Sequence, residues 1–507
     1  MFRHITRNPK WWVFTATTLS LAMVMADQSA LPVALPSIQR ELHTSQDALQ
    51  WVVNAYLLSL AVLVILGGKL GDKWGHRRAF LGGMTLFILS SIACAMAPSV
   101  TWLIISRVVQ GVGAAFMLPA GTPLFRSTVP GNEFGKMAGL YVSGASVFLV
   151  LGPSVGGLLV QYLSWRWIFW INFPLALLGI LIALFVVPKD VVRTNAGETF
   201  DWWGFASFTI AIVSLVFALM QGGILGWSSY VILFCVALCL VSGVIFFWIE
   251  RRQTYPFLEL SLFKNTTFSR TLFVLSLMQG LFVCIIFWAI FLQVVLGLSA
   301  GKTGLILLSA QVPVLLCSYI AGRFLDRYGP RLPISLGTML VVIGSVWIAF
   351  FVGQNSVWWL LPGFIIFGIG IPFITLCCIT TIISSAPYAK GGIASAIANG
   401  IRQVSGSIGL AVIGSVISAL SNYRFIHWMT QHNLKISTSN IGHLDTVLAG
   451  TTNLQIAGLS EEAVHRAAAH AYMSAFSTAM YVIAVLTVLA FFVARKLPAK
   501  SLVIDRG

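Results

Sequence analysis

Apolar stretches of about 20 residues, separated by short polar or glycine-containing breaks, recur along the whole chain. Fourteen can be traced, centred near Val24, Leu58, Leu89, Gly111, Ser146, Leu177, Ile210, Ala237, Phe282, Leu315, Val342, Phe367, Gly409 and Val485. Each is long enough to cross the roughly 30 Å hydrocarbon core as a helix, a form that satisfies its peptide groups without water. Two stretches, around Leu58 and Gly409, carry glycines and polar residues that dilute the signal. The pattern predicts an all-α integral membrane protein of fourteen spans.

The breaks hold a repeat. GGKLGDKWGHRR at 67–78 and AGRFLDRYGPRL at 321–332 are versions of one pattern. Gly68, Lys69, Asp72, Lys73, Trp74, Gly75 and Arg77 reappear as Gly322, Arg323, Asp326, Arg327, Tyr328, Gly329 and Arg331, at a constant offset of 254. Two related bundles in a pseudo-twofold arrangement follow, an architecture of secondary transporters with a site at the midplane. Residues 1–190 are expected to form an N-terminal six-helix bundle and 191–264 two inserted spans with linkers. Residues 265–507 form a C-terminal six-helix bundle with one long external loop, 421–471. The end of that loop, Glu461 to His470, reads as a short surface helix that serves as a lid or as a tether.

Composition narrows the solvent and charge fixes the orientation. The chain is 58% hydrophobic and 9% charged, against about 25% charged in soluble domains. The formal net charge is +16, but its placement alternates. Arg3, Arg7 and Lys10, the 69–78 loop, Arg251, Arg252, Lys264 and Arg270, the 323–331 loop and the tail from Arg495 lie on one side. The other side holds isolated Arg40, Arg166 and Lys302. By the positive-inside rule both termini are cytoplasmic, in a plasma membrane of the bacterial inner-membrane type. The charge is a topology signal, so no nucleic-acid partner is expected. The first apolar stretch, from Trp11, holds Asp27 and two prolines and lacks a cleavage pattern, and reads as a retained helix. All seven cysteines fall inside spans, with neither metal spacing nor a disulfide framework. Gly301-Lys302-Thr303 imitates the end of a phosphate-binding loop, but the preceding Gly297 is one residue too close. No cofactor, metal or enzymatic nucleophile–base pair is expected.

Asp27 is the acid deep within a span. A carboxylate there costs about 2.5–3.5 kcal/mol on insertion scales, so it faces a cavity or a partner. It reads as a proton-binding group, or as a packing aspartate bonded to Ser29 or Gln28. Arg107 cannot easily deprotonate; it either pairs with Asp27, making a protonation-sensitive switch, or donates to helix carbonyls. Arg402, beside Gln403, is a second buried cation in the other half. Gly68 and Gly75 permit a tight turn, and Asp72 can accept from amides at a neighbouring helix N-terminus. Gly139, Gly144, Gly152, Gly156 and Gly157 allow close helix approach, and Pro153 supplies a kink.

These residues resemble the motifs of the major facilitator superfamily, and within it the fourteen-helix drug:proton antiporter branch. Gly68, Leu70, Asp72, Gly75, Arg77 and Arg78 match the loop signature G-x-L-x-D-x-x-G-x-R-R. Arg107, Gln110, Gly111, Gly113, Ala114 and Ala115 match R-x-x-Q-G-x-G-A-A, and Gly152, Pro153, Gly156 and Gly157 match G-P-x-x-G-G. Asp27 with Ala34, Leu35 and Pro36, the run WRWIFWINFP at 165–174, and Asn399, Arg402, Gln403, Gly406 and Gly409 are similar to further branch motifs. The threonine and asparagine usual in the first-helix motif are Ser29 and Pro32 here, and Phe148 replaces a glycine of the fifth-helix motif.

The resemblance implies a monomeric, proton-coupled exporter of amphipathic, cationic or neutral lipophilic compounds, working by alternating access. Asp27, Arg107, Gln110 and Arg402 would form the coupling and cargo cavity. Gly68, Asp72, Gly75, Arg77, Arg78, Gly322, Asp326 and Arg327 would form a cytoplasmic gate, with Asp72 latching the outward-open state. A narrower metabolite or lipid transporter, or a transport-dead membrane sensor or scaffold, would keep the same motifs.

Overall fold

The protein is described here from a computed structural model covering residues 9–128, 134–187, 200–253, 257–354, 356–387, 391–431 and 461–499. Among them there is no strand, and fourteen helices are long and apolar enough to cross a membrane. The N-terminal bundle has α1 (Pro9–Leu42), α2 (Gln46–Trp74), α3 (His76–Ala95), α4 (Val100–Thr128), α5 (Phe134–Tyr162) and α6 (Trp167–Val186). The inserted pair is α7 (Trp202–Leu225) and α8 (Tyr230–Glu250). The C-terminal bundle has α9 (Thr266–Val295), α10 (Ala300–Tyr328), α11 (Arg331–Phe351), α12 (Val357–Ser385), α13 (Gly391–Gln431) and α14 (Glu461–Ala494). All fourteen coincide with the apolar stretches of the sequence.

Local chemistry sets the ends. Ser45 accepts from the Ala48 amide, Asp201 from Gly204, Ser229 from Ile232, Asn265 from Thr267 and Ser299 from Lys302. Each thereby satisfies an amide that the first helical turn leaves without a partner. At the two repeats the chain reverses on a single glycine. Gly75 has φ 102° and Gly329 φ 71°, a region that a side chain disfavours. Each donates its amide four residues back, to the carbonyls of Gly71 and Leu325.

The halves share one plan. In the first, α4 packs against α2 and α3, and α1 against α5 and α6; in the second, α12 packs against α10 and α11, and α9 against α13 and α14. Two seams join the halves, α5 with α10 and α2 with α13. The inserted α7 lies along the second seam, touching both α2 and α13, while α8 packs on α7.

The second seam explains why two spans are weakly apolar. α2 and α13 spend polar residues on each other: Asn54 donates to the Ser407 carbonyl at 3.2 Å and accepts from the Ser407 hydroxyl. Gly414 admits Gln50 of α2.

One boundary is corrected. The 421–471 loop is shorter than expected, because α13 runs on to Gln431 and α14 already begins at Glu461. The separate surface helix expected at Glu461–His470 is the first part of α14, carried by Ala467, Ala468, Ala471 and Tyr472, which are buried in the core. The rest of the loop lies outside the described residues.

Candidate functional site

Asp27 on α1 and Arg107 on α4 meet in the interior of the N-terminal bundle. Both Asp27 oxygens accept from Arg107 Nη1, at 2.8 and 2.7 Å. Arg107 Nη1 also donates to Gln110 Oε1 at 2.7 Å, and its Nε to the Val52 carbonyl of α2 at 3.1 Å. Its guanidinium lies 4.3 Å from the ring centroid of Tyr56. Asp27 and Arg107 are each 1% exposed and Gln110 is wholly buried. Losing one member of such a pair leaves an uncompensated charge and costs about 3–5 kcal/mol.

The pair sits in a polar layer that reaches α3 and α6. Gln110 Nε2 is 3.4 Å from Ser91 Oγ, which receives a bond from Asn172 at 3.0 Å and donates to the Phe169 carbonyl at 3.0 Å. Ser91, Asn172, Tyr56 and the Val52 carbonyl were not singled out in the sequence. Their signal was a polar side chain inside an otherwise apolar run, as in SSIACA and WINFP.

Arg402 is not part of this layer. It lies on α13, half-buried, and among the described residues it has no hydrogen-bond or ion-pair partner.

The fifth helix has two working faces. A Cβ on Gly152 would lie 1.8 Å from Ser29 Oγ, and one on Gly156 would lie 2.8 Å from the Ala30 Cβ, both on α1. On the other face a Cβ on Gly157 would fall 2.4 Å from the Ala300 carbonyl oxygen. One on Gly304 of α10 would fall 2.1 Å from that of Pro153. Ser154 donates to the Gly304 carbonyl, and Gln161 accepts from the Gly301 amide and the Ser299 hydroxyl. The Gly-Lys-Thr segment is thus the start of α10 docked on α5.

The loop repeat is placed differently in part. Gly75 makes the turn as expected. Gly68 does not: it lies within α2, and the close approach to α4 is made by its neighbour Gly67, whose Cβ would lie 2.1 Å from the Ala115 carbonyl oxygen. Asp72 is 74% exposed in its side chain and contacts His76 at 3.2 Å. Arg77 donates to the carbonyls of Ala183 and Leu184, near the end of α6. A Cβ on Gly322 would make only an ordinary contact, 3.9 Å from Leu376 Cδ2, Asp326 is exposed, and Arg327 stacks over Tyr328 at 5.2 Å.

The bonds between halves gather at one end. On the face opposite the two repeats, Gln293 of α9 donates to the Val33 carbonyl of α1 at 2.8 Å, beside the α5–α10 and Asn54–Ser407 contacts.

Comparison with known proteins agrees with this architecture. The profile of the Major Facilitator Superfamily matches residues 17–201 and 201–410. The multidrug resistance protein Stp of Mycobacterium tuberculosis (strain CDC 1551 / Oshkosh) is 33% identical over 414 residues, 80% of this chain and 75% of that protein. The tetracenomycin C resistance and export protein of Streptomyces glaucescens is 30% identical over 507 residues, covering 97% and 93%. A bacterial homolog of the human lysosomal transporter Spinster, solved in an inward-facing and occupied conformation, superposes with a TM-score of 0.65. It is 16% identical and covers 97% of this chain and 96% of that one, a likeness of fold.

Proposed function

Since the chain belongs to the Major Facilitator Superfamily, we propose that it is a proton-driven exporter of lipophilic amphipathic compounds, working by alternating access between its two halves. The observation that carries the reading is the sealed Asp27–Arg107 pair, the acid deep within the spans closed against a permanent cation. A proton arriving at Asp27 removes its charge and occupies one of the two oxygens that now accept from Arg107. The α1–α4 contact then loses its ion pair and one of the two bonds that make it. Occupancy of Asp27 by a proton thus favours a different packing of α1 against α4, and through Gly152 and Gly156 the shift passes to α5 and its seam with α10.

The face bearing the repeats is taken as cytoplasmic, following the basic residues, with the protein in the plasma membrane. The hydrogen bonds that join the halves at Val33, Ser154 and Asn54 lie towards the opposite, external end, which supports a conformation open to the cytoplasm. An exposed Asp72 fits that state, because its latch belongs to the outward-open one. A single chain supplies both halves, so the transport unit is a monomer. Names of the relatives, multidrug resistance and antibiotic export, support cargo of amphipathic character. The membrane potential supplies about 2.3 kcal/mol per charge per 100 mV.

Dye flux in proteoliposomes with an imposed pH gradient tests the reading. The wild-type protein should accumulate dye against its gradient, whereas Asp27→Asn should allow only downhill movement. Uphill flux in the asparagine variant would place the coupling residue elsewhere.

A further inference from the structure

α13 shows each of its faces to a different neighbour. Ser407 and Gly414 face α2, and a Cβ on Gly400 would meet Ile65 of the same helix at 3.4 Å. Ser405 bonds Ser276, and Gly409 abuts Gly280, both on α9. Ile408 and Ala411 pack with Leu58, Val62 and Val216 towards α7. At about 100° per residue these contacts fill three sectors of the helix. The fourth, opposite α7, holds Asn399, Arg402, Gln403 and Gly406, and at its external end Arg424 of the same sector bonds Ser474 and Thr478 of α14. The first three of these side chains are half-buried.

The depth of Arg402 follows from the seam. Asn54 stands against Ser407 and Ile65 against Gly400, which sets Arg402 level with about Val62. That is roughly 12 Å along the axis from the layer at Val52–Tyr56 that holds Asp27, displaced towards the repeat-bearing face. Asp27 is out of its reach and already bound. The charge balance among the described residues is therefore unequal: the first half presents a compensated pair, the second a guanidinium without a described counter-ion, which cannot shed its proton.

We propose that Arg402 is an acid-binding subsite in the wall of the transport cavity, and that the preferred cargo is an amphipath with one anionic group on an apolar body. The inference rests on the transport function proposed above, and it departs from the cationic or neutral cargo that the family resemblance implies. A guanidinium holds a carboxylate, sulfonate or phenolate through charge-assisted bonds, two at once for the bidentate acids. The amides of Asn399 and Gln403 stand beside it on the same face. Apolar atoms flank the site, with Val64 and Ile65 near Gly400 and Val283 near Gly406. A cation entering there meets a like charge that no carboxylate among the described residues offsets, which is selection by repulsion. The acid can belong to a soluble small molecule or to a lipid headgroup.

Binding of three pyrene probes with one aromatic body tests this: 1-pyrenebutyrate, its methyl ester and 1-pyrenemethylammonium. The full chain is held in phosphatidylcholine nanodiscs, with partition into empty discs subtracted. The acid should bind at least 10-fold tighter than the ester, and the ammonium weakest. Arg402→Gln should reduce the acid to the affinity of the ester while leaving the ester unchanged, which also shows that the variant is folded. Arg402→Lys should keep part of the preference. Equal binding of acid and ester, or an acid preference that survives Arg402→Gln, overturns the proposal. Adding phosphatidylglycerol separates the sources. Displacement of the acid from wild-type protein assigns the subsite to a headgroup, and its absence to a soluble acid. None of these readouts needs a pH gradient. Failed proton-driven flux would leave the subsite standing, and equal probe binding would leave proton-driven export standing.

Discussion

Replacing Gly304 with alanine adds a single methyl group at the seam between the halves. That Cβ would lie 2.1 Å from the Pro153 carbonyl oxygen, 2.8 Å from its carbon and 3.0 Å from the Ser154 Cα. All three are backbone atoms of α5, so no rotamer change relieves the contact. Cβ atoms essentially never approach within 3.0 Å, so α5 and α10 must part by about 1 Å at this level. Overpacking of this kind costs about 1–3 kcal/mol. The cost falls on conformations in which α5 and α10 touch here, so the equilibrium should move about 5- to 150-fold towards those in which they are parted. Spin labels at Tyr162→Cys and Leu305→Cys, in a cysteine-free background, report the opening of that face. Labels at Trp74→Cys and Tyr328→Cys report the opposite one. In double electron–electron resonance the first distance should lengthen and the second shorten. Gly243→Ala on α8, where nothing lies within 4 Å of the new Cβ, is the control and should leave both unchanged. A folded Gly304→Ala protein with unaltered distances would refute the reasoning, since the seam would then not be the contact that opens.

Three further outcomes are expected. Arg107→Ala leaves the buried Asp27 without its cation, so proton-driven flux should be lost. Undiminished uphill flux in folded protein would mean that the pair does not govern coupling. Asp72→Asn should slow turnover severalfold while leaving probe binding and thermal stability unchanged, because Asp72 here touches only His76 at the surface; normal turnover would reduce the loop to a topology signal. Tyr230→Cys, at the 93%-exposed start of α8, should react with a membrane-impermeant thiol reagent added outside intact cells, and labelling only after lysis would invert the topology.

The spans, their number and the internal repeat were legible in the sequence, because crossing a membrane is a local demand. Any segment of about 20 residues must satisfy its peptide groups within itself and present apolar side chains to lipid. Turn chemistry is equally local, which is why Gly75 could be read as a reversal without coordinates. Side-chain partnership is not local. That Arg107 grips Asp27, 80 residues away, while Arg402 stands without an anion among the described residues, depends on the rotation and depth of helices that no apolar pattern encodes. Gly68 and Gly67 differ by one position, yet the turn of the helix puts only Gly67 against Ala115. Likewise the polar dilution of α2 and α13 looked like weakness in the sequence and became the seam between the halves. A polar residue inside a span shows that something must meet it; only packing in three dimensions, which fixes distances to within the reach of a hydrogen bond, decides what does.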